Sequence, residues 1–213
     1  MVQRLPFIKA QPRDWLHANP SIGGWSVHAS IKALYPKAQT HVQEPSAQRQ
    51  WQSQQHLRPQ GLKAWWPWAA RDQFVLPHIP PPAVDMVWAN MQLHLHADPQ
   101  QLIGQWHQAL RAQGFVMFSC LGTDSLQELH HLYQHMGWPV AGSTWTDMHD
   151  WGDMLLHSGF SEPVMDMERI TLSYRQPSEL LTEVRTLGRN FHPGRFPASV
   201  SYTHLRAHET RED

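Results

Sequence analysis

Residues 84–128, VDMVWANMQLHLHADPQQLIGQWHQALRAQGFVMFSCLGTDSLQE, decide the fold. Val84, Met86, Val87 and Trp88 form a short apolar run ending at Ala89-Asn90, where the carboxyl end of a strand delivers polar groups to a ligand crevice. Asp98-Pro99 then starts a helix whose Leu102, Ile103, Trp106, Ala109 and Leu110 recur at three- and four-residue spacing. Gly114 is expected to stop that helix before the buried run Phe115 to Phe118. A second amphipathic helix follows from Ser125 to Met136, with Leu126, Leu129, Leu132, Tyr133 and Met136 on one face and Gly137 at its end. Strands alternating with helices imply an α/β fold with a parallel sheet.

Towards the amino terminus, Asp14 to His17 is a strand candidate, Pro20 to Gly24 a turn, and Ser26 to Tyr35 a helix with Val27, Ile31 and Leu34 on one face. Thr40 to Glu44 reads as a second strand ending in an acid. Between Ser46 and Pro82 the composition turns Gln-rich, then Trp-rich, then Pro-rich, and the pattern places no element there by itself. Towards the carboxyl terminus, Asp147 or Asp150 is the expected cap of a helix containing Met154 to Leu156 and stopped by Gly159. Val164 to Tyr174 is expected to be a long strand with a bulge near Glu168-Arg169. Ser178 to Leu187 closes as a helix ending at Gly188.

The order apolar strand, Asn, Leu, Asp-Pro, helix, Gly-Phe, Met-Phe-Ser, Leu-Gly-Thr-Asp-Ser-Leu-Gln-Glu-Leu resembles the class I S-adenosylmethionine-dependent methyltransferases. Within them it is similar to the malonyl-[acyl-carrier protein] O-methyltransferases of biotin synthesis. A second block, TDMHDWGDMLLHSGFSEPVMDMERITLSY from Thr146 to Tyr174, resembles the same family more specifically. The resemblance implies a Rossmann-like sheet with helices on both faces, S-adenosylmethionine as cofactor, and an acyl carrier protein thioester as partner, its malonyl carboxylate being methylated. It also implies a helix near Ala47 to His56 and a third strand near Ala64 to Trp68. For the cofactor it points to Gly23 and Gly24 in the loop after the first strand, Glu44 after the second, and Asn90, Met91 and Leu93 after the fourth. The family's loop carries an acid followed by closely spaced glycines, whereas this chain has HANPSIGGW, with Pro20 removing one backbone donor. That departure leaves open a non-catalytic, partner-binding protein of the same fold. Arg175, Arg185, Arg189 and Arg195 are the basic residues that an acidic carrier protein would meet.

Composition narrows the classes. Lysine and arginine number 17 against 18 acids, so no basic footprint for nucleic acid or an anionic membrane exists. Cys120 is the only cysteine, which excludes an internal disulfide framework and a cysteine-ligated iron–sulfur cluster. No apolar run approaches membrane-span length and no signal-peptide core is visible, so a cytoplasmic protein is expected. The segment Val200 to Thr210, VSYTHLRAHET, reads as the translation of a transposase-type sequencing adapter. The expected organisation is therefore one methyltransferase-like domain over 1–198 and an adapter-derived tail over 199–213, with the domain cut short at that end.

Other residues carry competing readings. Tyr174 and Arg175 would offer a phenol and a guanidinium to a carboxylate-bearing substrate, or simply end a surface strand. His94 and His96, on one side of an extended segment before Asp98, suggest a metal-dependent hydrolase, but no third ligand has the spacing and no metal site is assigned. Cys120 follows a buried strand without a flanking base and reads as a packed thiol.

Overall fold

The structure is a computed structural model that describes residues 1–58, 73–76, 82–140, 142 and 144–186. Five parallel strands, β1 (Asp14–Ala18), β2 (Gln39–Gln43), β3 (Gln73–Leu76), β4 (Val84–Asn90) and β5 (Leu110–Ser119), lie in the order β3-β2-β1-β4-β5. Between them run α1 (Pro20–Gly23), α2 (Trp25–Leu34), α3 (Ala47–Leu57) and α4 (Pro99–Ala109). This is the expected Rossmann-like α/β sheet. The expected site of the third strand, Ala64 to Trp68, lies outside the described residues, as do Gly188 and the tail. The strand that pairs with β2 is Gln73–Leu76.

Side-chain alternation divides the sheet into two apolar faces. Along β1, Trp15 and His17 point one way and Leu16 and Ala18 the other, and all four are buried. Leu16, Ala18, Val87 and Ala89 pack with Leu102, Ile103 and Trp106 of α4 and with Trp151 and Leu155 of α6 (Met148–His157). On the opposite face, Trp15, Met86 and Trp88 pack with Ile31 and Tyr35, at the end of α2, and with Leu5 from a 3-10 turn at Val2–Phe7. A central strand covered on both faces is apolar along its buried length, which is why Met86 to Ala89 reads as a continuous run.

Helix α4 begins as expected: Pro99 occupies its first turn and Asp98 Oδ1 accepts from the Gln101 N–H at 2.9 Å. It ends earlier than expected. Leu110 already pairs with Val84, and the ladder resumes at Met86 with Phe115, so Gly114 sits inside an irregularity of β5 and does not stop the helix. A Cβ at Gly114 would stand 2.9 Å from the Arg111 carbonyl and 3.0 Å from the Asp85 carbonyl, leaving room for glycine alone. Arg111 donates from Nη1 to Asp14 at 2.7 Å and to Asp85 at 3.2 Å, joining the starts of β1, β4 and β5.

The described residues fall into two compact units, those within Met1–Leu121 and Met148–Asp166, and those within Gly122–Asp147 and from Met167 to 186. The second contains α5 (Gln127–His135) and α7 (Pro177–Thr186). In it Asp124 pairs with Arg169 at 2.6 Å, and the Trp145 indole donates to the Ser125 carbonyl at 3.1 Å. The expected strand over Val164 to Tyr174, and with it the bulge at Glu168-Arg169, does not form. Val164 is 91% exposed and Ile170 73%; alternation becomes a strand only when a neighbour completes the ladder, and none among the described residues does.

Candidate functional site

The chain winds outward from β1 through β2 to β3, then returns to place β4 on the other side of β1. In such sheets ligands occupy the crevice beyond the carboxyl ends of the strands where the direction of winding reverses, here between β1 and β4. The backbone is unusual on both sides of that point. Asn19, directly after β1, has φ 55°, Gly24 has φ 94°, and Met91, directly after β4, has φ 53°. Asparagine is among the few non-glycine residues that accept this left-handed conformation, so Asn19 turns the loop where a glycine would be expected. Met91 has no such excuse, and its N–H is held by the Ser119 carbonyl at 3.0 Å.

Gly23 and Asn90 join the two sides. Asn90 Nδ2 donates to the Gly23 carbonyl at 2.8 Å, and Asn90 Oδ1 accepts from Ser119 Oγ at 2.6 Å. A Cβ at Gly23 would stand 3.3 Å from Asn90 Cβ and 3.1 Å from His17 Nε2, so this glycine permits the close approach.

Glu44, one residue past β2, is 1% exposed. Its Oε1 accepts from the Ser21 N–H at 3.0 Å, from Ser21 Oγ at 2.6 Å and from Ser53 Oγ at 3.0 Å. Oε2 is buried and has no partner. Gln50 Nε2 donates to the Glu44 carbonyl and Arg49 to Asn19 Oδ1, so α3 is fastened to the loop that follows β1.

Beneath the loop, His17 Nδ1 lies 3.1 Å from His28 Nδ1, and His28 Nε2 lies 3.2 Å from Gln73 Oε1. With the Gln73 oxygen accepting, His28 carries its proton on Nε2 and accepts on Nδ1, so His17 is protonated on Nδ1 and presents a lone pair at Nε2. Burial, followed by the neighbouring His28, pushes the His17 pKa down to about 3. Burial also lowers that of His28, with the charges of His56 and Lys32 adding to it against the Gln73 hydrogen bond. Both rings are neutral at pH 7.

The structure thus brings Gly23, Gly24, Glu44, Asn90 and Met91 to one end of the sheet. Leu93 is fully buried in the core with Ala89 and Ile103. Tyr174 and Arg175 lie in the second unit. There a hydrogen bond to Glu183 raises the Tyr174 pKa, and the Arg175 N–H donates to Glu179 at 3.1 Å at the start of α7. Arg185 is on α7, whereas Arg189 and Arg195 lie outside the described residues. His94 sits on a 3-10 turn, Leu93–Leu95, so the parity of an extended segment does not apply to His94 and His96. His96 Nδ1 lies 2.7 Å from the Asp98 carbonyl oxygen and 3.2 Å from the Asp98 nitrogen, and burial lowers His94 to about 4. No cluster of three metal-ligating side chains occurs among the described residues. Burial raises the Cys120 thiol to about 11, which suits packing and not nucleophilic chemistry. No helix among the described residues is long and apolar enough to cross a membrane.

Sheet order and the crevice at the β1/β4 reversal define a Rossmann-like α/β fold. PigF solved with S-adenosylhomocysteine superposes with TM-score 0.56 at 17% identity, over 78% of this chain and 49% of that one. YcgJ of Bacillus subtilis superposes with TM-score 0.60 at 10% identity, over 99% and 83%. The chain belongs to the malonyl-[acyl-carrier protein] O-methyltransferase family. It is 32% identical to the member from Gallionella capsiferriformans over 88% of this chain and 65% of that protein. Against the member from Legionella pneumophila it is 30% identical over 92% and 67%, and against that from Laribacter hongkongensis 31% over 88% and 64%. The chain therefore spans about two thirds of the length of these relatives. No family model matches it.

Proposed function

We propose that this chain is an S-adenosylmethionine-dependent O-methyltransferase acting on the free carboxylate of a malonyl group carried by an acyl carrier protein, the reaction in its relatives' names. The observation that carries the cofactor reading is Glu44: a carboxylate beyond β2, buried, with one oxygen lacking a donor. A nucleoside ribose brings two hydroxyl donors, the chemistry that an orphaned carboxylate oxygen lacks. Around it, Asn19, Gly23 and Gly24 shape the loop that would receive the amino-acid end, and Asn90 with Met91 forms the facing wall.

The cofactor supplies, when bound, a methyl group on a positively charged sulfur. A malonyl carboxylate is ionised at neutral pH and would itself be the nucleophile, so no general base is required of this chain's residues. The protein's part is to position and to exclude water. Asn90, locked between Gly23 and Ser119, fixes the spacing of β1 and β4, and the buried indoles of Trp15 and Trp88 make the sheet beneath it rigid and dry. Tyr174, Arg175 and Arg185 are proposed to meet the acceptor, the arginines suiting the acidic surface of a carrier protein. Methyl esterification removes a charge that is expensive to bury, preparing the product for an apolar channel.

The test is transfer of a labelled methyl group to malonyl carrier protein. The expected product is a base-labile ester that releases methanol. A cooperatively folded sample that forms none, but captures carrier protein, would favour the partner-binding alternative that the altered loop leaves open.

A further inference from the structure

Glu44 is bonded lopsidedly. Three donors crowd Oε1, two of them from Ser21, while Oε2 has none. Ser21 itself is exposed and belongs to α1, whereas Ser53 reaches the carboxylate from α3 and is 1% exposed. The Ser21 contacts are therefore the ones on Glu44 that come from an exposed residue. At 2.6 Å from a carboxylate the Ser21 hydroxyl is also the shortest of the three. A vicinal diol would place one hydroxyl on each carboxylate oxygen, one filling Oε2 and the other claiming the position on Oε1 that Ser21 Oγ holds.

We propose that Ser21 is an internal stand-in for a ribose hydroxyl: its side chain holds a position on Glu44 that the diol of a bound nucleoside must claim. Ser21 then sets cofactor affinity by competition. This inference rests on the cofactor reading above and goes beyond it, since it assigns an affinity-determining role to an α1 residue that an acid-and-glycine pattern does not provide. Displacement breaks only the hydroxyl contact. The Ser21 N–H and Ser53 Oγ remain on Oε1, so the loop keeps its anchor while the ligand enters.

The experiment titrates S-adenosylhomocysteine, and its analogue lacking both ribose hydroxyls, into the wild-type chain, Ser21→Ala and Ser21→Thr, following heat and monitoring cooperative unfolding of each protein. Losing a competing hydrogen bond to a charged group should tighten S-adenosylhomocysteine binding to Ser21→Ala about tenfold. Ser21→Thr, which restores a hydroxyl, should return to the wild-type affinity, and the gain should vanish with the dideoxy analogue. Equal or weaker binding by Ser21→Ala beside a binding wild type overturns the proposal and leaves the cofactor reading standing, as does a gain of the same size for the dideoxy analogue. Failure of all three folded proteins to bind overturns the cofactor reading and the proposal with it.

Discussion

Replacing His17 with asparagine should change how stability depends on pH more than it changes stability at neutral pH. The asparagine amide can stand where the Nδ1–H of His17 now donates to His28, so the buried contact at 3.1 Å keeps a donor while the titrating ring is lost. The ring is fully buried, and its pKa falls from 6.5 to about 3. A histidine whose folded pKa is depressed binds its proton only on unfolding. Its contribution is therefore fully present above 6.5 and is lost as pH falls from there towards 3. Each pH unit in that window removes about 1.4 kcal/mol. Between pH 7.5 and pH 5, the wild type should thus lose about 2 kcal/mol more than His17→Asn. Urea denaturation followed by far-ultraviolet circular dichroism at the two pH values gives the number directly. The variant should start below the wild type at pH 7.5, because ring packing against Trp15 and His28 is gone, and the gap should close on acidification. Parallel pH dependences for the two proteins would refute the neutral, buried pair.

Gly114→Ala should destabilise the fold by about 3 kcal/mol, because its methyl would meet two carbonyl oxygens at 3.0 Å or less, and thermal melting would show it. Arg111→Ala should cost about 1 kcal/mol at pH 7, a figure held down by solvent screening since the side chain is 41% exposed. Burial alone would raise the Asp85 pKa, but the N–H groups of Asp14 and Arg13 and the Arg111 guanidinium hold it below 3.8; stability present above 3.8 is lost as pH falls through the lowered value. Acid unfolding should therefore begin at higher pH in Arg111→Ala than in the wild type. Asp98→Ala removes the cap of α4 and should cost about 1 kcal/mol, read as a lower urea midpoint.

The sheet was legible where one residue run met one physical rule. Asp98-Pro99 announces a helix because both residues satisfy the same first turn, and Val84 to Trp88 announces a central strand because both of its faces are covered. Rules that depend on a distant neighbour failed. Val164 to Tyr174 alternates like a strand, but alternation does not supply a ladder partner. Gly114 resembles a helix stop, yet its real constraint is the carbonyl of Asp85 on another strand. In the site, Glu44 and Gly23 could be anticipated from chain position. Asn19 carries a signal in its type and place, an asparagine directly after a strand where the backbone turns left-handed. Ser21 and the His17–His28–Gln73 chain carried none. The separations of 11 and 45 residues acquire meaning only when the parallel register sets β3 beside β2 and β2 beside β1.

The central claim is that the crevice between β1 and β4 receives S-adenosylmethionine through Glu44. Calorimetric titration of S-adenosylhomocysteine into the wild-type chain and into Glu44→Gln tests it most directly. Saturable one-to-one binding by the wild type, weakened at least tenfold in a cooperatively folded Glu44→Gln, is the expected result. Absence of heat from a folded wild type, or equal binding by the two proteins, would contradict it.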